Sequence, residues 1–480
     1  MVSTKIGLAS SGRWSTRYLE SRIMAELTSP ESESLDSKPL LENSSAEWAK
    51  RDAAAVWHGF TQMSTYEDNS PLIVESGEGR WLIDVDGRRY FDAISSLWVT
   101  TLGHRVPELD EALTQQLGKI AHSTMLGNGN RVVVEFTEAL VQRVPVDSAH
   151  VLYAADGAAA VEQAIKIAFQ FWTNQGVTER RRYLAFGGAY HGDTLGSLSI
   201  GDGGFGTDQF DPLRFPVLRA PGFDDPQCID SAIAMIEAHR HELAAVVVEP
   251  LIQGAAGMAM RSPEEFTKLG AACRVNDVLL ICDEVAVGFG RTGTLFASEQ
   301  CGLRPDLMVL GKGITGGYLP MAATVASETV FDAFLGADLG PKTLYHGHSY
   351  GGNALAAAVA LRHLQLLEEQ DVLANVVARG TQLQASLKSR VGGLLGVKEI
   401  RSLGLMAGIE LAPPAEGMRW GRRVSAACVA RGVLIRPLGD VIVIVPPLTT
   451  TESEIELIVD TVAAAIAEVT DEARLLEVIE

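Results

Sequence analysis

Apolar and polar positions fall in blocks along most of this chain. Short apolar runs, each about a strand long, end in glycine or a carboxylate: His150–Ala154, Arg182–Phe186, Ala245–Glu249, Val278–Asp283 and Leu307–Leu310. Longer stretches of helical spacing separate them. Such alternation from about Pro107 onward predicts an α/β fold, with a mostly parallel central sheet covered by helices on both faces. Trp81 to Asp92 reads as a hairpin closed at Asp86-Gly87. After about Ala357 the pattern becomes a long helix, then short strands around Val441–Val445 and a last helix from Thr451. That tail predicts a smaller α+β domain.

The first 46 residues differ from the rest. Thr28 to Glu47 is rich in Ser, Glu and Pro, which predicts a disordered leader over 1–46. Lys5, Arg13, Arg17 and Arg22 make its start weakly basic, without an arginine-rich amphipathic pattern, and Met24 offers an alternative start. The remainder divides into 47–106, a segment joining the small domain, a large domain over 107–356 and a small domain over 357–480. A chain of 480 residues exceeds one ordinary core, so more than one domain is expected.

Sixty acidic against 40 basic residues give a formal net charge of −20, which argues against nucleic acid or an anionic membrane surface as a partner. No apolar stretch is long enough for a spanning helix. Cys228, Cys273, Cys282, Cys301 and Cys428 are odd in number and without CxxC spacing, so a reducing, cytoplasmic setting is expected. His346 and His348 flank Gly347 but read as loop histidines, and no metal site is expected.

Two segments carry the chemistry. Lys312 lies in Gly311-Lys312-Gly313 at the end of one apolar run, and Asp283 ends another upstream. Taken alone, Lys312 has the local sequence of any solvated loop lysine. Buried beside a carboxylate at neighbouring strand ends, it suits pyridoxal phosphate: lysine forms the Schiff base and Asp283 pairs with the protonated pyridine nitrogen. A plain buried ion pair would add little net stability. Ala155 to Glu162 joins a strand to a helix, and its small residues leave the first-turn amides open to phosphate. Tyr190 follows another strand and suits stacking on a flat ring. Gln253 has a donor and an acceptor for a phenolic oxygen. Tyr345 to Tyr350 precedes a small-residue helix start and adds hydroxyl and N–H donors.

These segments in this order resemble the class III aminotransferases, pyridoxal-phosphate enzymes of fold type I, from about Trp57 to the C-terminal helix. Trp57-His58-Gly59-Phe60-Thr61-Gln62, Ser95-Ser96-Leu97-Trp98, Tyr190-His191-Gly192-Asp193-Thr194, Tyr345-His346-Gly347-His348-Ser349 and Ile435-Arg436-Pro437-Leu438 narrow the resemblance. They are most similar to the members that aminate 8-amino-7-oxononanoate to 7,8-diaminononanoate in biotin synthesis, with S-adenosylmethionine or lysine as donor. Another ω-aminotransferase, acting on ornithine, 4-aminobutyrate or a β-amino acid, is the alternative. The resemblance implies that Lys312 moves the proton, Tyr190 covers the cofactor, and Gly157 and Ala158 hold its phosphate. It also implies that Ser349 reaches the phosphate of a second subunit, so a homodimer is expected. Arg436 would take a substrate carboxylate, and Phe60, Trp98, Tyr190 and Gly347 would line the substrate path. Two departures stand out: Ala158 replaces a frequent hydroxyl residue, and Leu97-Trp98 replaces a frequent pair of tryptophans. The second favours lysine as donor, with Asp440 neutralising its distant ammonium.

Overall fold

The computed structural model describes residues 44–475, except 70, 203–205 and 414–416. The expected leader lies outside them as far as residue 43, and Ser45–Ala55 is already helical. Seven strands form the central sheet: β1 (His150–Ala154), β2 (Arg182–Phe186), β3 (Leu218–Ala220), β4 (Leu243–Val248), β5 (Leu279–Asp283), β6 (Leu307–Leu310) and β7 (Ala322–Ala326). Their order is β1-β7-β6-β5-β4-β2-β3. β3 through β6 run parallel with β2, while β7 is antiparallel to both β6 and β1.

The pleat explains why these strands read as continuous apolar runs. Both faces are covered, so successive side chains enter different cores. Ala245, Val247, Ile281 and Val309 pack with Ala160, Ala164, Phe171 and Trp172. Val246, Val248, Leu280 and Cys282 pack on the opposite side with Ile229, Phe266 and Leu269. The helix Gly157–Asn174 is capped by Asp156, whose carboxylate accepts from the Ala159 amide at 2.9 Å. At its other end Trp172 donates to the Ala244 carbonyl at 2.8 Å, tying the helix to β4.

The sequence pattern missed β3 and β7. β7 is Ala-Ala-Thr-Val-Ala, poor in the bulky residues that mark strands, and β3 is a three-residue edge. The hairpin Trp81–Asp84/Arg89–Asp92 forms antiparallel, and Phe91 also pairs with Val433 far along the chain. A second sheet contains Val397–Leu403, Met406–Leu411, Val441–Ile444 and Arg436–Leu438. The helix predicted from about Ala357 is two, Ala354–Glu369 and Val372–Arg390. Among the described residues, no helix is long and apolar enough to cross a membrane.

Candidate active site

The carboxyl ends of β1, β2, β4, β5 and β6 converge on a cavity of about 720 Å³. Lys312 opens the short helical turn that follows β6 and lines this cavity with Asp283, Tyr190, Gly157, Ala158 and Trp98. Six of the residues expected at the site therefore meet in one place.

Lys312 has φ 42°, and its Nζ lies 4.6 Å from the centroid of the Trp98 ring. Burial holds its amine below the usual lysine range, Asp283 and Glu249 oppose that shift, and Arg291 reinforces it. Asp283 is buried. Its Oδ1 accepts from the Val285 amide at 3.0 Å, and its Oδ2 faces His191 Nδ1 at 2.7 Å. These two contacts fix the carboxylate plane. Tyr190 donates its hydroxyl to Asp193 at 3.0 Å, and burial raises its pKa.

Three residues join this group that the sequence reading did not single out. Glu249 follows β4 directly and lines the cavity. It accepts from the Tyr190 and Gly254 amides, each at 3.2 Å, and burial raises its pKa to about 7. A carboxylate closing an all-apolar strand is the signal that found Asp283, and it applied equally here. His191 is buried, and its Nε2 has no hydrogen-bond partner among the described residues. Gly254 carries the Trp98 ring, since a Cβ there would come within 2.8 Å of Cζ3.

Asp156 occupies the Ala159 amide, and no hydrogen bond is made by the Gly157 and Ala158 amides among the described residues. Both glycines beside them are sterically required. A Cβ on Gly157 would meet Val285 at 2.9 Å, and one on Gly192 (φ 120°) would lie 2.4 Å from the Ala158 Cβ. The cavity thus has open amides at a helix N-terminus, a fixed carboxylate, and a lysine whose charge is disfavoured. This donor set fits a flat, phosphorylated aldehyde cofactor.

The wall that faces Lys312 follows an unusual path. Ser95, Ser96 and Trp98 have φ of 49°, 60° and 64°. Such left-handed conformations in non-glycine residues cost on the order of 1–3 kcal/mol each and persist where surrounding contacts over-determine them.

Other expected site residues lie elsewhere. Gln253 is buried, and its side-chain amide is held by backbone. Oε1 accepts from the Phe223 amide at 3.2 Å and Nε2 donates to the Gly187 carbonyl at 3.0 Å. Asp440 is likewise occupied, accepting from the Gly421 amide at 2.8 Å. Phe60, Gly347, Ser349 and Arg436 are exposed and outside the cavity of their own chain. The Ser349 carbonyl accepts from His122 at 2.7 Å.

Residues 62–466 match the family described as aminotransferase class-III. The chain is 45% identical over 442 residues to the adenosylmethionine-8-amino-7-oxononanoate aminotransferase of Nitratidesulfovibrio vulgaris, covering 88% of this chain and 81% of that one. The crystal structure of the enzyme of that name from Methanocaldococcus jannaschii superposes with a TM-score of 0.85 at 38% identity, over 88% of this chain and 98% of that one. An omega transaminase from Pseudomonas jessenii in complex with PMP gives a TM-score of 0.83 at 28% identity, over 88% and 98% of the two chains. The chain belongs to the class III aminotransferases, pyridoxal-phosphate enzymes of fold type I.

Proposed function

We propose that this enzyme transfers an amino group to the ketone of 8-amino-7-oxononanoate, giving 7,8-diaminononanoate in biotin synthesis, with S-adenosylmethionine as donor. The observation that carries the reading is similarity over nearly nine-tenths of the chain to proteins bearing that activity in their names. The ω-transaminases similar in structure are 27–28% identical, well below the 45% of the first relative.

Bound pyridoxal phosphate supplies an aldehyde that receives the amino group and a cationic ring that withdraws electrons from the carbon losing a proton. The side chains do the rest. Lys312, with its charged form disfavoured by burial, presents a nucleophilic Nζ and then carries the proton taken from the amine-bearing carbon. Asp283, held by His191 and Val285, binds the ring nitrogen's proton. The Gly157 and Ala158 amides would hold the phosphate, and Tyr190 would cover the ring. Trp98 and Tyr190 form the substrate wall, with Asp156, Asp193 and Glu249 also lining the cavity. That acidic lining suits a donor and an acceptor that each carry a cationic nitrogen or sulfonium.

Arg436 takes the distal carboxylate of the acceptor, with Phe60 and Gly347 on the entry path. Ser349 serves the phosphate site of a second copy, and its position outside its own cavity supports a homodimer. We place the enzyme in the cytoplasm. Lysine as donor is the second reading, favoured by the single tryptophan at Leu97-Trp98.

Half-reactions test this reading. Each donor is added alone to enzyme loaded with cofactor while the visible absorption of the lysine-linked cofactor is followed. S-adenosylmethionine should discharge the band and 8-amino-7-oxononanoate should restore it. A band discharged by lysine alone would move the assignment to the second donor, and one that 8-amino-7-oxononanoate never restores would refute the acceptor.

A further inference from the structure

The left-handed turn Ser95–Trp98 is held from behind by a carboxylate that touches no part of the cavity. Asp92, at the end of the strand Arg89–Asp92, is fully buried. Both its oxygens accept from the Ser96 amide, Oδ1 at 2.9 Å and Oδ2 at 2.8 Å. Oδ2 also accepts from the Ser96 hydroxyl at 3.2 Å and faces His104 Nε2 at 2.9 Å. His104 is seated in turn over Gly77, where a Cβ would approach its own Cβ to 2.8 Å, and it exchanges backbone hydrogen bonds with Gly79. On the other side of the turn, the Ser95 hydroxyl donates to the Val445 carbonyl at 2.7 Å.

The residues just after the turn pack against the segment that follows Lys312. A Cβ on Gly317 would meet Thr100 Cα at 2.8 Å, and the Thr101 amide donates to the Gly316 carbonyl at 3.4 Å. Trp98 is thereby pressed between Gly254 and Lys312. Backbone bonds from the Trp98 amide to the Ile94 carbonyl at 2.8 Å and from the Val99 amide to the Ser95 carbonyl at 3.0 Å close the turn, while the Ser96 amide is held by Asp92.

We propose that Asp92, backed by His104, is a positioning residue for substrate selection: by binding Ser96 it keeps the Ser95–Trp98 turn in its left-handed path and so sets the Trp98 ring over Lys312. The proposal rests on the reading that Trp98 forms the substrate wall. Its consequence is selective. A displaced wall weakens the fit of a long acceptor and leaves amino transfer from a short primary amine nearly intact.

The test compares Asp92→Asn, Asp92→Ala, His104→Gln and Trp98→Ala in the full-length holoenzyme. Circular dichroism and Tm report folding, kcat and KM are measured for 8-amino-7-oxononanoate and for a short primary amine, and the lysine-linked absorption maximum is recorded. Asp92→Asn should lose about 10- to 100-fold in kcat/KM for the long acceptor, mostly through KM, and about two-fold or less for the short amine. Its absorption maximum should shift in the same direction as that of Trp98→Ala. His104→Gln, which retains a donor toward Asp92, should recover most of the selectivity. Should Asp92→Ala fail to fold, Asp92→Asn and His104→Gln decide the matter. Equal losses for both substrates, or an unshifted absorption maximum in a folded Asp92→Asn enzyme, would reduce Asp92 to a structural role and overturn the proposal. If Trp98→Ala does not discriminate the substrates, the wall reading fails and the proposal with it. If Trp98→Ala discriminates and Asp92→Asn does not, only the proposal fails.

Discussion

Lys312 is subject to two opposing effects. Removal from water disfavours its charge, while Asp283 and Glu249 favour it, and burial is the larger. The amine is therefore kept reactive within a cluster of carboxylates. We expect Lys312→Ala to lose the lysine-linked absorption band and to slow turnover by about 100-fold or more, the usual contribution of a positioned acid-base group. A variant that keeps both would show that another amine does the work. Glu249 gives a second prediction at this scale. Its pKa rises from 4.5 in water to about 7 when folded, so the folded state binds the proton more tightly. The associated stability is fully present below pH 4.5 and is lost as pH rises through 7, roughly 3 kcal/mol in all. Tm should accordingly fall between pH 5 and 8, with a shallower slope in Glu249→Gln. Superimposable slopes would refute the assignment. At the residue scale Lys312, Asp283 and Tyr190 were legible because each closes or follows an apolar run. The backbone partners of Gln253 were not legible, because a sequence does not show which backbone groups will claim a side-chain amide.

At the scale of elements, strands with bulky apolar residues between glycines were readable, and the alanine-rich Ala322–Ala326 was not. The turn Ser95–Trp98 was also hidden. Its left-handed residues are two serines and a tryptophan, none of which announces such backbone. The start of the helix Gly157–Asn174 was legible from the glycine and small residues that join it to the preceding strand over Ala155 to Glu162. Its amides make the prediction for this scale. Ala158 stands where many relatives were expected to have a hydroxyl, so Ala158→Ser should add a phosphate donor and slow cofactor loss several-fold, read as the dissociation rate during dialysis. Gly192→Ala should do the reverse, because its Cβ would be driven to 2.4 Å from the Ala158 Cβ. Equal retention in wild type and both variants would remove this helix start from the cofactor site.

The whole molecule exposes a patch beside the loop that carries Ser349. Leu126, Tyr345 and Tyr350 are exposed, Leu126 borders Gly347, and the Tyr350 ring lies 5.2 Å from that of His122. An apolar and aromatic surface of this kind favours a partner. Sedimentation should give a dimer, with activity falling on dilution as the copies separate. A fully active monomer would contradict the role proposed for Ser349. The family could be read before the fold was known, because several motifs in fixed order are more specific than any one of them. The role proposed for Ser349 in a second copy came from the resemblance alone, since a linear pattern does not reveal which surfaces meet. The most direct test of the account supplies an ¹⁵N-labelled donor and 8-amino-7-oxononanoate to wild-type enzyme and to Lys312→Ala, and follows the product by mass spectrometry. Wild type should yield 7,8-diaminononanoate carrying the label at C7, and the variant almost none. Absence of labelled diaminononanoate from wild type with S-adenosylmethionine and with lysine alike would contradict the account.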